Sequence, residues 1–314
     1  MTDWVSILIS AALALLGSLG LAYWSFRAQN DRSALVGLYL IFGAPALLLL
    51  IAGVVLLFRG DSVLGRLSLL IGLGLGLPLL PPFRQLLSRV TPLDPESTID
   101  MAGLCVLLGV LGLFVGNSLA PQAEEPPTLV SSVGIAELLI QAAVFVAVAY
   151  ITVGYPYWRD LRHATARLGI VVPDGRTIAI AIAAVVASYA VAVLAGLASQ
   201  HFEPGLSESL DQVVEQMTAQ VQNPLGAIVL GASAGIGEEA IFRGALLPRY
   251  GMVLPSLLFA LLHGPQYGFN LTLLGLFGVS IILSLERKYV NTTAAMITHA
   301  LFNALQVLAL STLS

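Results

Sequence analysis

Charge is scarce in this chain. Lys, Arg, Asp and Glu make up 10% of its 314 residues, against about 25% in soluble proteins, and mean hydropathy is +0.90. That excludes a water-soluble globule and points to an all-α polytopic helical bundle with membrane lipid as its solvent. Cysteine is nearly absent: Cys105 stands alone in an apolar run, so no intrachain disulfide and no cysteine metal cluster can form. Basic residues number fourteen, scattered among loops, and the net charge is -4. With no basic patch, nucleic acid is not an expected partner. No basic run precedes the first apolar segment, only Asp3, so that segment reads as a retained helix rather than a cleaved signal.

What the chain has in plenty is apolar sequence. At about 20 residues per spanning helix, about ten candidates can be marked: Trp4 to Trp24, Leu35 to Phe58, Leu67 to Leu80, Met101 to Gly116, Val133 to Gly154, Thr177 to Ser199, Pro224 to Leu247, Val253 to His263, Phe269 to Leu285 and Thr292 to Leu313. The third, fourth and eighth are short. Residues 117–132, with Pro121, Glu124, Glu125, Pro126 and Pro127, form a polar, proline-punctuated break. It divides the chain into an N-terminal transmembrane module, 1–125, and a C-terminal core, 126–314.

Lys and Arg collect on cytoplasmic loops, and here Arg27, Arg32, Arg84, Arg89, Arg159, Arg162, Arg167, Arg176, Arg249, Arg287 and Lys288 all follow odd-numbered segments. The loops 117–132 and 200–223 contain none. Both termini are therefore expected outside, with Arg59 and Arg66 as exceptions. Between His201 and Asn223, Leu206, Leu210, Val213, Met217 and Val221 recur at helical spacing, with Glu208, Asp211 and Glu215 on other faces. A surface helix or a solvated connector fits that stretch. Gly231 with Gly235, and Gly72 with Gly76, have the four-residue spacing that lets membrane helices approach closely. Asn117, Asn270 and Asn291 read as helix-end residues, and His163 and His201 as solvated loop residues.

Against this background three constellations stand out: Glu238-Glu239-Ala-Ile-Phe-Arg243, Phe259-Ala-Leu-Leu-His263 and His299-Ala-Leu-Phe-Asn303. Ionisable groups in hydrocarbon are costly, and segments that carry them usually use them. A lone buried histidine or a Glu-Arg pair is ordinarily structural; three such groups on three helices favour catalysis. Successive helical residues point about 100° apart, so Glu238 and Glu239 face different ways, while Glu239 and Arg243 at i, i+4 can pair. Glu238 is then the carboxylate left to act as a base. His299 and Asn303 share a face. At about 1.5 Å per residue, Glu238, His263 and His299 lie roughly 12–17 Å from the cytoplasmic ends of their segments.

Glu238-Glu239-x-x-x-Arg243, Phe259-x-x-x-His263 and His299-x-x-x-Asn303 resemble the motif set of the CAAX-protease and bacteriocin-processing family, also called the abortive-infection family of intramembrane proteases, which includes type II CAAX prenyl endopeptidases. The resemblance covers the chain from about Val133 onward. It implies a core of roughly eight helices and endopeptidase activity on a membrane-associated peptide or protein, either a prenylated CAAX substrate or a bacteriocin-like one. It also implies that Glu238 activates water, His263 orients or deprotonates it, and His299 and Asn303 stabilise the oxyanion, with Glu239, Arg243 and Phe259 in support.

Members of the family are often labelled metalloproteases, and Glu238, His263 and His299 are the zinc ligands this chain could offer. The zincin His-Glu-x-x-His spacing is absent, so glutamate-activated water without a cofactor is the expected chemistry. Positive-inside polarity and short loops suit a bacterial inner membrane. A non-proteolytic scaffold or immunity protein would use the same helices. A proton-coupled transporter would also use buried Glu and His, but the halves show no matching pair of broken helices.

Overall fold

Backbone polar groups in lipid must be satisfied within their own segment. The computed structural model describes residues 4–119, 132–264 and 270–313, and across these the chain is helical, without strands. The helices are α1 (Trp4–Arg27), α2 (Arg32–Phe58), α3 (Ser62–Gly76), α4 (Pro81–Leu87), α5 (Thr98–Ser118), α6 (Ile135–Thr152), α7 (Leu161–Leu168), α8 (Gly175–Phe202), α9 (Pro204–Thr218) and α10 (Pro224–Glu239). A π-helical segment, Ala240–Leu246, joins α10 to α11 (Leu247–Tyr250), and α12 (Val253–Leu262), α13 (Leu271–Tyr289) and α14 (Thr292–Leu313) follow. Eight stretches among the described residues are long and apolar enough to cross a bilayer, and α12 is a shorter apolar helix. The protein is an all-α, multi-pass membrane protein.

Capping residues move several helix starts outward from the apolar runs. The Asp61 side chain accepts from the Leu64 amide at 3.0 Å and begins α3 at Ser62 rather than Leu67. Ser97 accepts from the Asp100 amide at 3.1 Å and begins α5 at Thr98. Asn270 and Asn291 cap α13 and α14, accepting from Leu273 and Ala294. The break expected at 125/126 falls within 120–131, outside the described residues. The stretch 201–223 does contain a helix, α9. In the polar stretch 155–176 a short helix not anticipated from the sequence, α7, buries Ala164 and Leu168 and ends at Gly169, whose φ of +71° suits glycine. His163 and His201 lie in helices rather than loops, both exposed.

The chain divides into two compact units, one of residues 20–122 and 248–269, the other of 1–19, 123–247 and 270–314. In the first, Leu38, Phe42, Leu79, Met101, Ala102 and Cys105 form the core. α3 is held close on two sides through glycine: a Cβ on Gly72 would lie 3.0 Å from the Ala46 carbonyl of α2, and one on Gly74 would collide with the Leu108 carbonyl of α5. At Gly76 the nearest atom would be 3.4 Å away, so close approach on the expected pair falls to Gly72, with Gly74 rather than Gly76 as its partner. Buried Arg84 donates to the Pro95 carbonyl at 2.7 Å and the Pro78 carbonyl at 2.6 Å, pinning the proline-rich turn after α3. Asp100 pairs with Arg249, and the Tyr250 hydroxyl donates to the Asp100 carbonyl at 3.1 Å.

In the second unit, α10 lies against α14. A Cβ on Gly231 would strike the Ala300 carbonyl, and one on Gly235 would lie 2.6 Å from the Met296 carbonyl, so the four-residue spacing brings two main chains into contact as expected. On α13, a Cβ on Gly275 would lie 2.5 Å from the Ala195 side chain of α8, and one on Gly278 would lie 2.9 Å from the Val191 side chain. α14 packs along α10, and the π segment that follows Glu239 meets both α13 and α14.

Candidate active site

Glu238 and Glu239 end α10, and their different faces give them different surroundings. Glu239 is fully buried, whereas Glu238 is half-buried. The Arg243 Nη1 donates to Glu239 Oε1 at 2.8 Å, and this i, i+4 ion pair expected from the sequence is buried on both sides. Arg243 Nη2 donates to the main-chain oxygen of Ser280 at 2.9 Å and to its hydroxyl at 2.6 Å. A guanidinium stripped of water thus finds a carboxylate and two oxygens, the condition under which burying it is tolerable.

His299 Nδ1 lies 2.7 Å from the same Glu239 oxygen. A carboxylate already paired with a guanidinium has only lone pairs to offer, so Nδ1 carries the hydrogen. Glu239 therefore orients His299, from 60 positions away along the chain. Glu238 makes no hydrogen bond or salt bridge among the described residues, yet it is close enough to act electrostatically on both Arg243 and His299. Asn303 is half-buried one turn beyond His299 on α14.

His263 and Phe259 belong to the 20–122/248–269 unit. His263 Nδ1 meets the Phe259 carbonyl at 2.8 Å, and the two rings stand 5.0 Å apart between centroids. A carbonyl can only accept, so here too Nδ1 carries the hydrogen. Buried Phe259 thus supports His263 through its main chain and its ring.

The sequence pattern does not single out Ser280, Glu286 or Thr298. Ser280 holds Arg243, and its place one turn before Ser284 in an otherwise apolar helix was the available signal. Glu286 is buried and receives the Thr298 hydroxyl at 2.8 Å. The apolar run ends at Leu285, yet α13 continues to Tyr289, so Glu286, Arg287 and Lys288 are helical and not loop residues. Glu239 Oε2 and Glu286 Oε2 are both buried without a hydrogen-bond partner among the described residues.

Among the described residues no three His, Cys, Asp or Glu side chains are grouped as a metal ion would require. Glu239 Oε1 already accepts from Arg243 and His299. Near the site, α6 and α10 enclose an apolar groove of about 540 Å³ lined by residues such as Leu139, Ala142, Val146, Ile228, Ser233 and Ile236, the last within one turn of Glu239.

No curated protein and no solved structure matches the chain. A family model does: residues 220–305, which run from before α10 into α14, match the one described as type II CAAX prenyl endopeptidase Rce1-like. The match contains Glu238, Glu239, Arg243, Phe259, His263, His299 and Asn303, and it is this segment of the chain that is similar to the CAAX-protease family.

Proposed function

We propose that this chain is an intramembrane endopeptidase that hydrolyses a peptide bond of a membrane-associated substrate with water activated by Glu238. The observation that carries the reading is the division of labour in the paired carboxylates: Glu239 is committed to Arg243 and His299, while Glu238 has no ion pair among the described residues and keeps partial access. In this scheme Glu238 takes a proton from water as its oxygen attacks the scissile carbonyl carbon. It returns that proton to the leaving amine as the C–N bond breaks.

His299 and Asn303 face the oxyanion that forms in between. Asn303 donates from its amide. With Nδ1–H already given to Glu239, a donor at Nε2 requires the imidazolium, and Glu239 stands beside it as counter-charge. Each well-placed donor of this kind contributes about 3–4 kcal/mol to the rate in acyl transfer. His263, on the strength of its motif and its fixed Nδ1–H, is assigned to orient the water through Nε2. No metal enters the scheme.

The substrate would be a prenylated CAAX or bacteriocin-like peptide, with its apolar part along the α6/α10 groove, and the compartment a bacterial inner membrane. The test is purified protein incubated with a prenyl-peptide and proteome-derived peptide library, read by mass spectrometry, wild type against Glu238→Gln. Cleavage products present only with wild type support the reading. Identical products, or none from either, overturn it in favour of a scaffold or immunity protein.

A further inference from the structure

The π segment that carries Arg243 runs directly into Pro248 after Leu247, and proline has no N–H to donate. In a π turn each carbonyl meets the amide five residues on, as the Phe242 carbonyl meets Leu247. By that count the Arg243 carbonyl would receive residue 248; by the α-helical count of four, the Gly244 carbonyl would. Neither can. Two guanidinium groups stand in the gap: Arg287 Nε donates to the Arg243 carbonyl at 3.2 Å, and Arg167 Nη1 to the Gly244 carbonyl at 3.4 Å.

The two arginines are themselves joined, since Arg287 Nη2 donates to the Arg167 carbonyl at 3.4 Å. Glycine makes the space. A Cβ on Gly169 would sit 2.5 Å from Arg287 Cζ, and one on Gly244 would lie 2.9 Å from Leu168 Cδ2. Arg287 and Lys288 are adjacent basic residues at the end of α13, and a topological role accounts for both charges. It does not account for the half-buried Arg287 bridging two carbonyls while Lys288 stays exposed.

We propose that Arg287 is a positioning residue: it supplies the hydrogen bond that Pro248 withholds from the Arg243 main chain, and so holds Arg243 against Glu239 and Ser280 and, through Glu239, fixes the ring of His299. A buried carbonyl left without a donor is destabilising, and without Arg287 the turn relaxes to satisfy it, rotating the Arg243 side chain away from Glu239. For its activity readout the inference rests on the peptidase reading; a spectroscopic readout frees it from that reading.

The experiment uses the full chain in detergent with ¹⁵N-labelled histidine, the His299 ring signals being assigned by their loss in a His299→Gln control. Arg287→Ala is expected to shift the His299 Nδ1 resonance and to lower kcat at least tenfold with KM changed less than twofold. Adding Pro248→Ala returns an amide hydrogen at 248. It should restore both signals, whereas a merely structural loss at Arg287 has no reason to be repaired there. Arg287→Gln, which keeps a donor of shorter reach, serves the same comparison if the alanine variant does not fold. A His299 resonance that stays put in both Arg287 variants, or that moves and is not restored by Pro248→Ala, overturns the proposal. If wild type cleaves nothing while the resonances behave as described, the positioning role stands and the peptidase reading falls; if wild type cleaves and the resonance is unmoved, the reverse holds.

Discussion

His299 Nδ1 lies 2.7 Å from Glu239 Oε1, the same oxygen that accepts from Arg243 Nη1 at 2.8 Å. One carboxylate oxygen thus gathers a cation one helical turn away and an imidazole 60 positions along the chain. Its neighbour Glu238 has neither bond, and the two glutamates of one dipeptide are set up for different work.

Their variants should therefore part company. Removing one member of a buried ion pair strands the other and costs roughly 3–5 kcal/mol, so Glu239→Gln and Arg243→Ala are each expected to lower stability by that order. The double change should cost less than the sum, because the two residues are in contact. Glu238→Gln should abolish cleavage with little change in melting. Detergent-state melting and turnover of all four proteins test this, and full additivity of the double change would sink the assignment.

Much of this was legible in the sequence, and what was not has a common cause. The membrane class follows from composition, the Glu239–Arg243 pair from i, i+4 spacing, and the α10–α14 approach from Gly231 and Gly235, because each is set by local periodicity. The His299–Glu239 bond depends on two helices meeting and has no local signature. The π segment after Glu239 is equally silent in a pattern read at 3.6 residues per turn. The last turn of α13 was missed because apolar runs end where charge begins, whereas helices end where caps and partners allow: Glu286 continues the helix with Thr298 as its partner, and Arg287 with the Arg243 carbonyl. A basic residue at a membrane boundary was read for topology alone, when one of the two adjacent ones has a main-chain task.

Topology itself is open to a direct check. The distribution of Lys and Arg predicts that both termini are outside and the 155–176 stretch is cytoplasmic. In a Cys105→Ala background, single cysteines at Ser131, Thr165 and Ser314 should react with an impermeant maleimide on intact cells at 131 and 314 but not at 165. Labelling at 165 without 131 would invert the orientation.

Elemental analysis bears on the chemistry. The grouping of donors around Glu239 and the absence of His-Glu-x-x-His lead to an expectation of well under one zinc per chain, with activity surviving chelators. Stoichiometric zinc lost in His263→Ala, together with recovery of a chelated enzyme on adding zinc, would instead establish a metalloprotease.

Glu286 offers the sharpest contrast with Glu239, because both are buried carboxylates with one oxygen unpartnered. Glu239 has an ion pair; Glu286 has a threonine. The Thr298 hydroxyl lies 2.8 Å from Glu286 Oε1 and 3.1 Å from the Ala181 carbonyl, and its one hydrogen can serve only one of them. In Glu286→Gln the new amide can donate to the Thr298 oxygen, leaving the hydroxyl hydrogen for Ala181, so every group in the chain of bonds is served. The expected change in stability is within about 1 kcal/mol, the size of a single neutral hydrogen bond. Glu286→Leu removes the acceptor but leaves Thr298 its bond to Ala181, and should also be mild. Thr298→Val removes the hydroxyl beside Glu286 Oε1 and is expected to be the costliest of the three. Melting curves for these variants beside Glu239→Gln decide the matter: if Glu286→Gln destabilises the protein as much as Glu239→Gln does, then Glu286 is an ionised partner in the Arg243 network, and the separation drawn between the two buried carboxylates is wrong.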